Sequence, residues 1–417
     1  MNTFLNKAEQ IPNKLFLLVA IVFSIGLFLL FTSVKERKIN NLYLTSFRFT
    51  KKDKEKVLAE DRSYKYKSKE IRDWDLKKDE EESDYFIKKY QSLKSDNQEI
   101  FLKAEKESLI DSKFVEHTSF NNLDLPSYNL GKKTVNNYLI KHHERLESLN
   151  YSTDSAIFTM NVLEFLNTPL FFLLLFLLFP ISYFKKFEDG RIRLILTQPA
   201  PRIKIVVEDY YLYLKNLLTV LGLTVAISFM TSFAISRKCS LLYPVRLTLL
   251  GTSQIVPIYL YLLILLIAFF FVGTFIYFMI YFLVLISKKV MAAVFLAIFI
   301  CVGWNVLVVN NSQTLDAVNP MSYLNVEKLC KNIKSTDHIE DILESQYINS
   351  RTEKVSTVPP AAVPFNGNVM ENPYYYANQS LAKKTQSIDL VLLPFILLLY
   401  SLILFAVCTF LIYRFEV

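Results

Sequence analysis

Residue types that support catalysis are few in this chain and are badly spaced for it. A phosphate-binding loop needs G-x-x-x-x-G-K-[ST], in which backbone N–H groups cradle the phosphates. Gly131-Lys132 has Pro126 at the position of the first glycine, so we do not expect the chain to hydrolyse ATP by that route. His142 and His143 point in different directions if they lie on a helix, and no H-E-x-x-H spacing occurs. The sequence predicts no catalytic residue, no metal site and no cofactor bound by this chain.

Six long apolar stretches dominate the sequence, which is 52% hydrophobic over 417 residues. A helix needs about 20 apolar residues to cross a hydrocarbon core about 30 Å thick, and only closed hydrogen bonding satisfies the backbone there. The first stretch is longer than a signal-peptide core and lacks a small-residue cleavage pattern, so we interpret it as a retained anchor. The predicted spans are 15–34, 162–184, 212–235, 255–286, 292–309 and 388–413.

Basic residues in the short connections predict the orientation of the spans, because such loops stay on the cytoplasmic side. With both termini inside, 11 Lys and Arg residues fall in cytoplasmic pieces, against three (Arg237, Lys238, Arg246) in the short outer connection. Basic residues directly after the first span favour the opposite orientation, but they open a long domain, and long domains translocate largely regardless of charge. We therefore predict a multi-pass protein of the cell membrane with cytoplasmic termini.

The predicted fold is an all-α membrane protein with two extracytoplasmic parts. Residues 1–34 contain the N-terminus and the first span, and residues 35–161 form a mainly helical outer domain. The second to fifth spans lie in residues 162–309. A smaller outer segment follows at 310–387, and residues 388–417 contain the last span and a short tail. The domain at 35–161 carries 25 Lys and Arg against 23 Asp and Glu, which is typical of a solvated helical surface and not of a nucleic-acid site. Two apolar stripes at helical spacing are expected to pack together. They are Phe86, Tyr90, Leu93, Ile100 and Ala104, and Val135, Tyr138, Leu139, His142, Leu146 and Leu149.

A dense basic turn, residues 187–204, joins the second and third predicted spans. Within it, an apolar block at 194–196 lies between Gly190 and Pro199. Because Pro199 disfavours helical geometry in the residue before it, a short apolar-faced helix is expected to end near Gln198. Pro201 suits a first helical position, so a new helix is expected to begin there and to run into the third span.

Two interpretations of this turn are open. In the first, a short surface helix fixed to two spans transmits a displacement from a bound partner to those spans. The plainer interpretation is a basic loop that only fixes topology, which accounts for Lys185, Lys186 and Lys204 but not for the bounded apolar block.

At these residues the chain resembles the membrane subunits of type 2 ATP-binding cassette (ABC) exporters. In that family a Glu, a Gly, a Leu-rich turn and Pro-x-x-Arg follow the second span, and the segment forms a coupling helix that docks on the ATPase subunit. The predicted topology also resembles that family, because it has six spans, an outer insertion after the first span and an outer segment between the fifth and sixth spans. Pro201 and the acidic pair Glu208-Asp209 depart from the family pattern. The resemblance places the docking surface at Glu188, Gly190, Leu194, Leu196, Pro199 and Arg202, with Arg191 and Arg193 in the same segment.

The resemblance implies the permease subunit of an ATP-driven exporter. ATP and Mg²⁺ are then bound by a separate cytoplasmic ATPase dimer, and a second permease, identical or homologous, completes the pathway. The implied cargo is a peptide or an amphipathic, lipid-like molecule, and the Lys-, Asn- and Ile-rich composition is typical of a bacterium of low G+C content. Two other classes stay open: a mechanotransmitting ABC subunit, which usually has four spans, and a membrane sensor, which is expected to carry a cytoplasmic signalling domain.

Four polar residues inside the predicted spans are candidates for the transport pathway, because such groups are costly in a membrane and usually face a cavity or a partner. They are Glu164, Asn167, Asn305 and Asp389. The alternative for Glu164 and Asp389 is an interfacial position in contact with water, and for Asn305 it is hydrogen bonding between helices. Cys239 and Cys330 both fall on the predicted outer side, and nothing in the sequence fixes whether they pair.

Overall fold

The computed structural model describes residues 21–37, 50–63, 69–95, 99–103, 125–168, 171–172, 181–190, 192, 201–249, 252–310, 319–324, 326 and 391–414. These residues are mostly helical, as the sequence predicts, and they include a two-stranded antiparallel hairpin. The helices are α1 (21–37), α2 (Lys51–Ser63), α3 (Lys69–Lys94), α4 (Leu125–His142), α5 (Ser155–Leu166), α6 (Ile181–Glu188), α7 (Arg202–Ser236), α8 (Ile258–Ser287), α9 (Val290–Asn310) and α10 (Leu392–Arg414), with a 3₁₀ turn at Pro320–Tyr323.

Three of the described helices, α7, α8 and α10, are long and apolar enough to cross a membrane, which indicates a membrane location. Within the most apolar 18-residue part of each helix, 67% of α8 is buried inside the protein, compared with 28% of α7 and 22% of α10. The central position therefore belongs to α8, with α7, α9 and α10 packed against it. The 35 residues of α7 rise about 52 Å, which exceeds a hydrocarbon core of about 30 Å.

The second predicted span, 162–184, is not one continuous helix. The helix α5 begins seven residues before that span and ends at Leu166, with Asn167 as its C-cap. Thr168 precedes Pro169, and the residue before a proline is disfavoured in helical geometry. The local sequence therefore explains why α5 stops inside the predicted span. The described residues are helical again at 171–172 and in α6 (Ile181–Glu188).

A β-hairpin that the all-α prediction missed lies between α7 and α8. Its strands are β1 (Pro244–Leu249) and β2 (Thr252–Pro257), with Val245 opposite Val256. Val245 and Leu247 are fully buried, as expected for alternating side chains on one face. Pro257 has no N–H and forms the N-cap of α8, so residues 255–257 belong to the strand and not to the predicted fourth span.

The apolar stripes predicted for residues 35–161 are correct only in part. The helix α3 ends at Lys94, and helical structure is described again at 99–103. There Ile100 is 48% exposed, whereas Phe101 and Leu102 are buried. Ala104 lies outside the described residues. In the second stripe Leu139 and Leu149 are buried, but α4 ends at His142, and Leu146 and Leu149 follow it in non-helical chain.

Candidate functional site at the connection between α6 and α7

The candidate site is built around a carboxylate shared by three helices. Lys186 on α6 forms an ion pair with Asp209 on α7, and the Tyr281 hydroxyl on α8 donates to the same Asp209 oxygen at 3.3 Å. The Lys186 and Asp209 side chains are only 16% and 9% exposed. A buried charge is tolerated when it is paired and hydrogen-bonded, so each partner is needed by the others. We call Lys186, Asp209 and Tyr281 the anchor cluster.

Aromatic packing fixes α6 against α8 around this cluster. The Phe184 ring lies 5.4 Å from that of Tyr281 and 6.0 Å from that of Tyr277, and the Phe187 ring meets Tyr281 edge-on at 5.6 Å. Tyr213 of α7 stacks on Tyr277 at 4.6 Å. Since aromatic pairs in such geometries add to the stabilisation from burial, α6, α7 and α8 are held as one unit at this end.

The other end of the connection is fixed to the C-terminal helix. Arg202, the first residue of α7, donates from Nη1 to the Tyr413 carbonyl at 2.7 Å and to the Ile412 carbonyl at 3.2 Å. Its guanidinium also lies over the Tyr413 ring, 5.8 Å from the centroid. The last carbonyls of a helix have no partner within the helix and favour a cation, so Arg202 caps α10.

Of the predicted docking residues, the structure describes Glu188, Gly190 and Arg202, and Arg191, Arg193, Leu194, Leu196 and Pro199 lie outside the described residues. Glu188 and Gly190 are exposed, and Gly190 has φ of +71°, a left-handed turn that glycine adopts without strain. The helix predicted to begin at Pro201 starts one residue later, with Pro201 as its N-cap. Arg202 contacts α10 within the chain, and its predicted contact with an ATPase stays a prediction.

The interpretation of Lys186 as a charge that only fixes topology is wrong, because its ammonium group is paired with Asp209 inside the protein. Sequence reasoning also missed Asp209 and Tyr281. An acidic residue close to the start of a long apolar helix was the available signal for Asp209. The partnership itself depends on how α6, α7 and α8 pack, which spacing along the chain does not reveal.

Two predicted pathway residues, Glu164 and Asn167, pack between α5 and α8. Glu164 is 4% exposed and accepts a hydrogen bond from the Tyr261 hydroxyl at 3.0 Å. Asn167 is fully buried, and its amide donates to the Leu163 carbonyl at 2.9 Å and the Leu265 carbonyl at 3.2 Å. The alternative of a water-exposed Glu164 is therefore wrong for this conformation of the chain.

The remaining sequence candidates cannot be placed in the site. The backbone of Asn305 lies within α9, while its side chain, like all of Asp389, is outside the described residues. Cys239 is free and exposed, and its suggested partner Cys330 also lies outside the described residues.

A second polar cluster joins α5 and α7 at the end opposite the anchor cluster. The buried Asp154 carboxylate caps α5 through the Ala156 N–H at 2.9 Å and also accepts from the Ser240 N–H at 3.0 Å. Other contacts are between Ser155 Oγ and the Lys238 carbonyl at 2.6 Å, between Lys238 Nζ and Glu147 Oε1 at 2.9 Å, and between Ser232 Oγ and the Thr153 carbonyl. We call residues 147–155 together with 232–243 the outer clasp.

The outer clasp also reaches α1. The Thr153 hydroxyl donates to Glu36 Oε2 at 2.7 Å. Burial raises the pKa of the Glu36 carboxyl above its usual range, and the hydrogen bond from Thr153 only partly opposes this shift. Tyr243 adds a contact to the backbone of Glu147, where its hydroxyl donates to the carbonyl at 2.6 Å. The clasp thus connects α1, α5, α7 and the hairpin.

Comparison with protein-family models, with curated proteins and with solved structures gave no match.

Proposed function

We propose that this chain is the membrane permease subunit of an ATP-driven exporter, with ATP hydrolysed by a separate ATPase that docks on the connection at 188–201. The observation that carries the proposal is the attachment of this connection at both ends. One end is tied to α7 and α8 through the anchor cluster, and the other is tied to α10 through Arg202. A loop that only fixes topology needs neither attachment.

Through these two attachments, a displacement of the connection at 188–201 is transmitted to two of the apolar helices. A push at residues 188–190 reaches the central helix α8 through Lys186, Asp209 and Tyr281. A push near Pro201 reaches α10 through the Arg202 contact with its last carbonyls. Closure of a nucleotide-loaded ATPase pair then tilts α7 and α10 against α8 and changes access to a pathway between two permease copies. The cargo class that we propose is a peptide or an amphipathic, lipid-like molecule.

The proposal is tested by Leu196→Asp in the chain co-expressed with any cassette ATPase that a neighbouring reading frame encodes. A carboxylate buried without a partner at a protein contact costs several kcal/mol. We expect Leu196→Asp to remove most of the ATPase from the purified complex, measured by co-elution and by vanadate-sensitive ATP hydrolysis.

The matched control is Lys289→Gln, which alters an exposed charge in the connection between α8 and α9. This variant should retain the ATPase. If Leu196→Asp elutes as a well-folded single species and holds the ATPase as well as the unaltered chain does, docking at this connection is refuted. Absence of any cassette ATPase in the neighbouring reading frames, together with a kinase there, would favour sensing instead.

The outer clasp favours a second candidate, a mechanotransmitting subunit that moves its outer domain without conducting cargo. Lys238 and Ser240 join the end of α7 to Glu147 and Asp154 in the chain that leaves α4. Movement of α7 therefore reaches the outer domain directly. The two candidates differ in what leaves the cell.

Mass spectrometry of the culture medium separates these two functions. An exporter should release at least one compound that is missing from a strain carrying Leu196→Asp. A mechanotransmitter should leave the set of released compounds unchanged while the same variant still loses its ATPase.

A further inference from the structure

Two leucines are held outward in the turn between α7 and β1. Leu241 is 43% exposed and Leu242 is 46% exposed. The backbone of this turn is nevertheless fixed, because the Tyr243 N–H donates to the Ser240 carbonyl at 3.1 Å and the Tyr259 N–H donates to the Leu241 carbonyl at 3.3 Å. The leucines are exposed on an ordered turn and not on a loose one.

The apolar surface of this turn continues onto the adjoining helices. At the last turn of α7, Phe233 is 46% exposed and Ile235 is 60% exposed, and at the first turn of α8, Tyr259 is 46% exposed. Removing apolar surface from water is favourable, so a group of such residues facing water is costly. Both helices are long and apolar enough to cross a membrane, and if they do, the turn that follows α7 lies on one side of it.

Basic residues accompany the two leucines. Arg237 and Lys238 are exposed at the end of α7, and Arg237 forms the left-handed C-cap of that helix, with φ of 53°. Lys238 is paired with Glu147 of the outer clasp. A cation beside exposed apolar side chains suits the boundary where lipid phosphates lie above acyl chains.

We propose that the turn at 237–242 is a lipid-binding element that rests in the membrane leaflet on the hairpin side. Leu241 and Leu242 enter the boundary of the acyl chains, and Arg237 faces the lipid phosphates. Ser240, inside this turn, donates to Asp154, so lipid contact holds the outer clasp at the membrane surface. The inference does not depend on the proposed export function, since it requires only that α7 and α8 span the membrane.

The test is a spin label at Leu242→Cys in the full chain, with Cys239→Ser and Cys330→Ser removing other reactive thiols. The protein is reconstituted in vesicles of phosphatidylethanolamine and phosphatidylglycerol, and the label's collision rates with oxygen and with a water-soluble nickel chelate are measured. The control is Lys141→Cys on the exposed face at the end of α4. We expect Leu242→Cys to show high oxygen access and at least several-fold lower nickel access than Lys141→Cys.

Two results would overturn the lipid contact: nickel access equal to that at Lys141→Cys, which means water, and low access to both reagents, which means coverage by protein. A second variant tests the contact between Arg237 and the lipid phosphates. Arg237→Gln should move the label at position 242 toward the aqueous phase in vesicles that contain phosphatidylglycerol. An unchanged label depth would refute the role of Arg237.

Discussion

At the scale of single residues, Asp209 is the position in the candidate site where substitution is expected to be most destabilising. Its carboxylate sits on a helix that is apolar over most of its length, yet it has an ammonium group from α6 and a hydroxyl from α8. Removing one partner of a buried pair leaves an uncompensated charge, whereas replacing both partners by apolar groups is often tolerated. The exposed pair Lys204 and Glu208, 3.8 Å apart on α7, has no such constraint.

This difference predicts the outcome of a mutant cycle. Lys186→Met and Asp209→Leu are each expected to lower the stability of the purified protein by about 3–5 kcal/mol, because each strands a buried charge. The double variant should recover most of this loss. The measurement is the temperature at which the monodisperse peak disappears in size-exclusion chromatography in detergent. The control, Lys204→Gln with Glu208→Gln, should shift that temperature little, and additive losses at Lys186 and Asp209 would contradict the buried-pair argument.

At the scale of helices and strands, the sequence predicted best where local chemistry decides the boundary. Pro201 placed the start of α7 within one residue, and the predicted fifth span at 292–309 lies inside α9 (Val290–Asn310). The stop at Asn167 was also readable from Pro169, but the apolar composition of 162–184 outweighed it in the prediction.

Features that depend on contacts between distant segments were not predictable. The hairpin forms where two short apolar strands, Pro244–Leu249 and Thr252–Pro257, pack beside α4 and α8, and composition alone assigned part of it to a span. The anchor cluster joins positions 186, 209 and 281, and the cap on α10 joins positions 202 and 413. A single sequence carries no signal for such pairings until the helices are arranged around α8.

The packing of α7 on α8 depends on the missing side chain of Gly273. A Cβ atom there would lie 3.0 Å from both Leu217 Cδ2 and Phe172 Cε1, and the Tyr213 hydroxyl donates to the Gly273 carbonyl at 3.0 Å. Any side chain at position 273 would therefore require Leu217 and Phe172 to move away from α8.

We expect Gly273→Leu to separate these helices and to lower thermal stability, because forcing extra methylenes into a well-packed core costs about 1–3 kcal/mol. Gly222→Leu on α7 is the matched control, since nothing lies within 4 Å of a Cβ built there. The control should be as stable as the unaltered protein in the same detergent assay. Equal melting temperatures for the two variants would mean that α7 and α8 are not in close contact at Gly273.

At the scale of the whole molecule, α7 connects the two polar clusters. Arg202 and Asp209 lie near its start, and Ser232, which donates to the Thr153 carbonyl, lies near its end. Ser232 lies 30 residues after Arg202, which corresponds to a rise of about 45 Å along the helix. Under the proposed function, a tilt imposed at the connection between α6 and α7 would reach the outer clasp through this single helix, which packs against α8.

This arrangement requires that the two clusters face opposite sides of the membrane, and the excess of basic residues in short connections predicts which side each one faces. In cells that carry single-cysteine variants, Lys204→Cys and Lys288→Cys should react with a membrane-impermeant maleimide only after permeabilisation. Lys94→Cys and Lys354→Cys should react in intact cells. Lys204, Lys288 and Lys94 are exposed, so a lack of labelling at these three would not come from burial within the chain. Labelling of Lys204→Cys in intact cells would place the connection at 188–201 outside, where no cytoplasmic ATPase can reach it, and would refute the proposed docking.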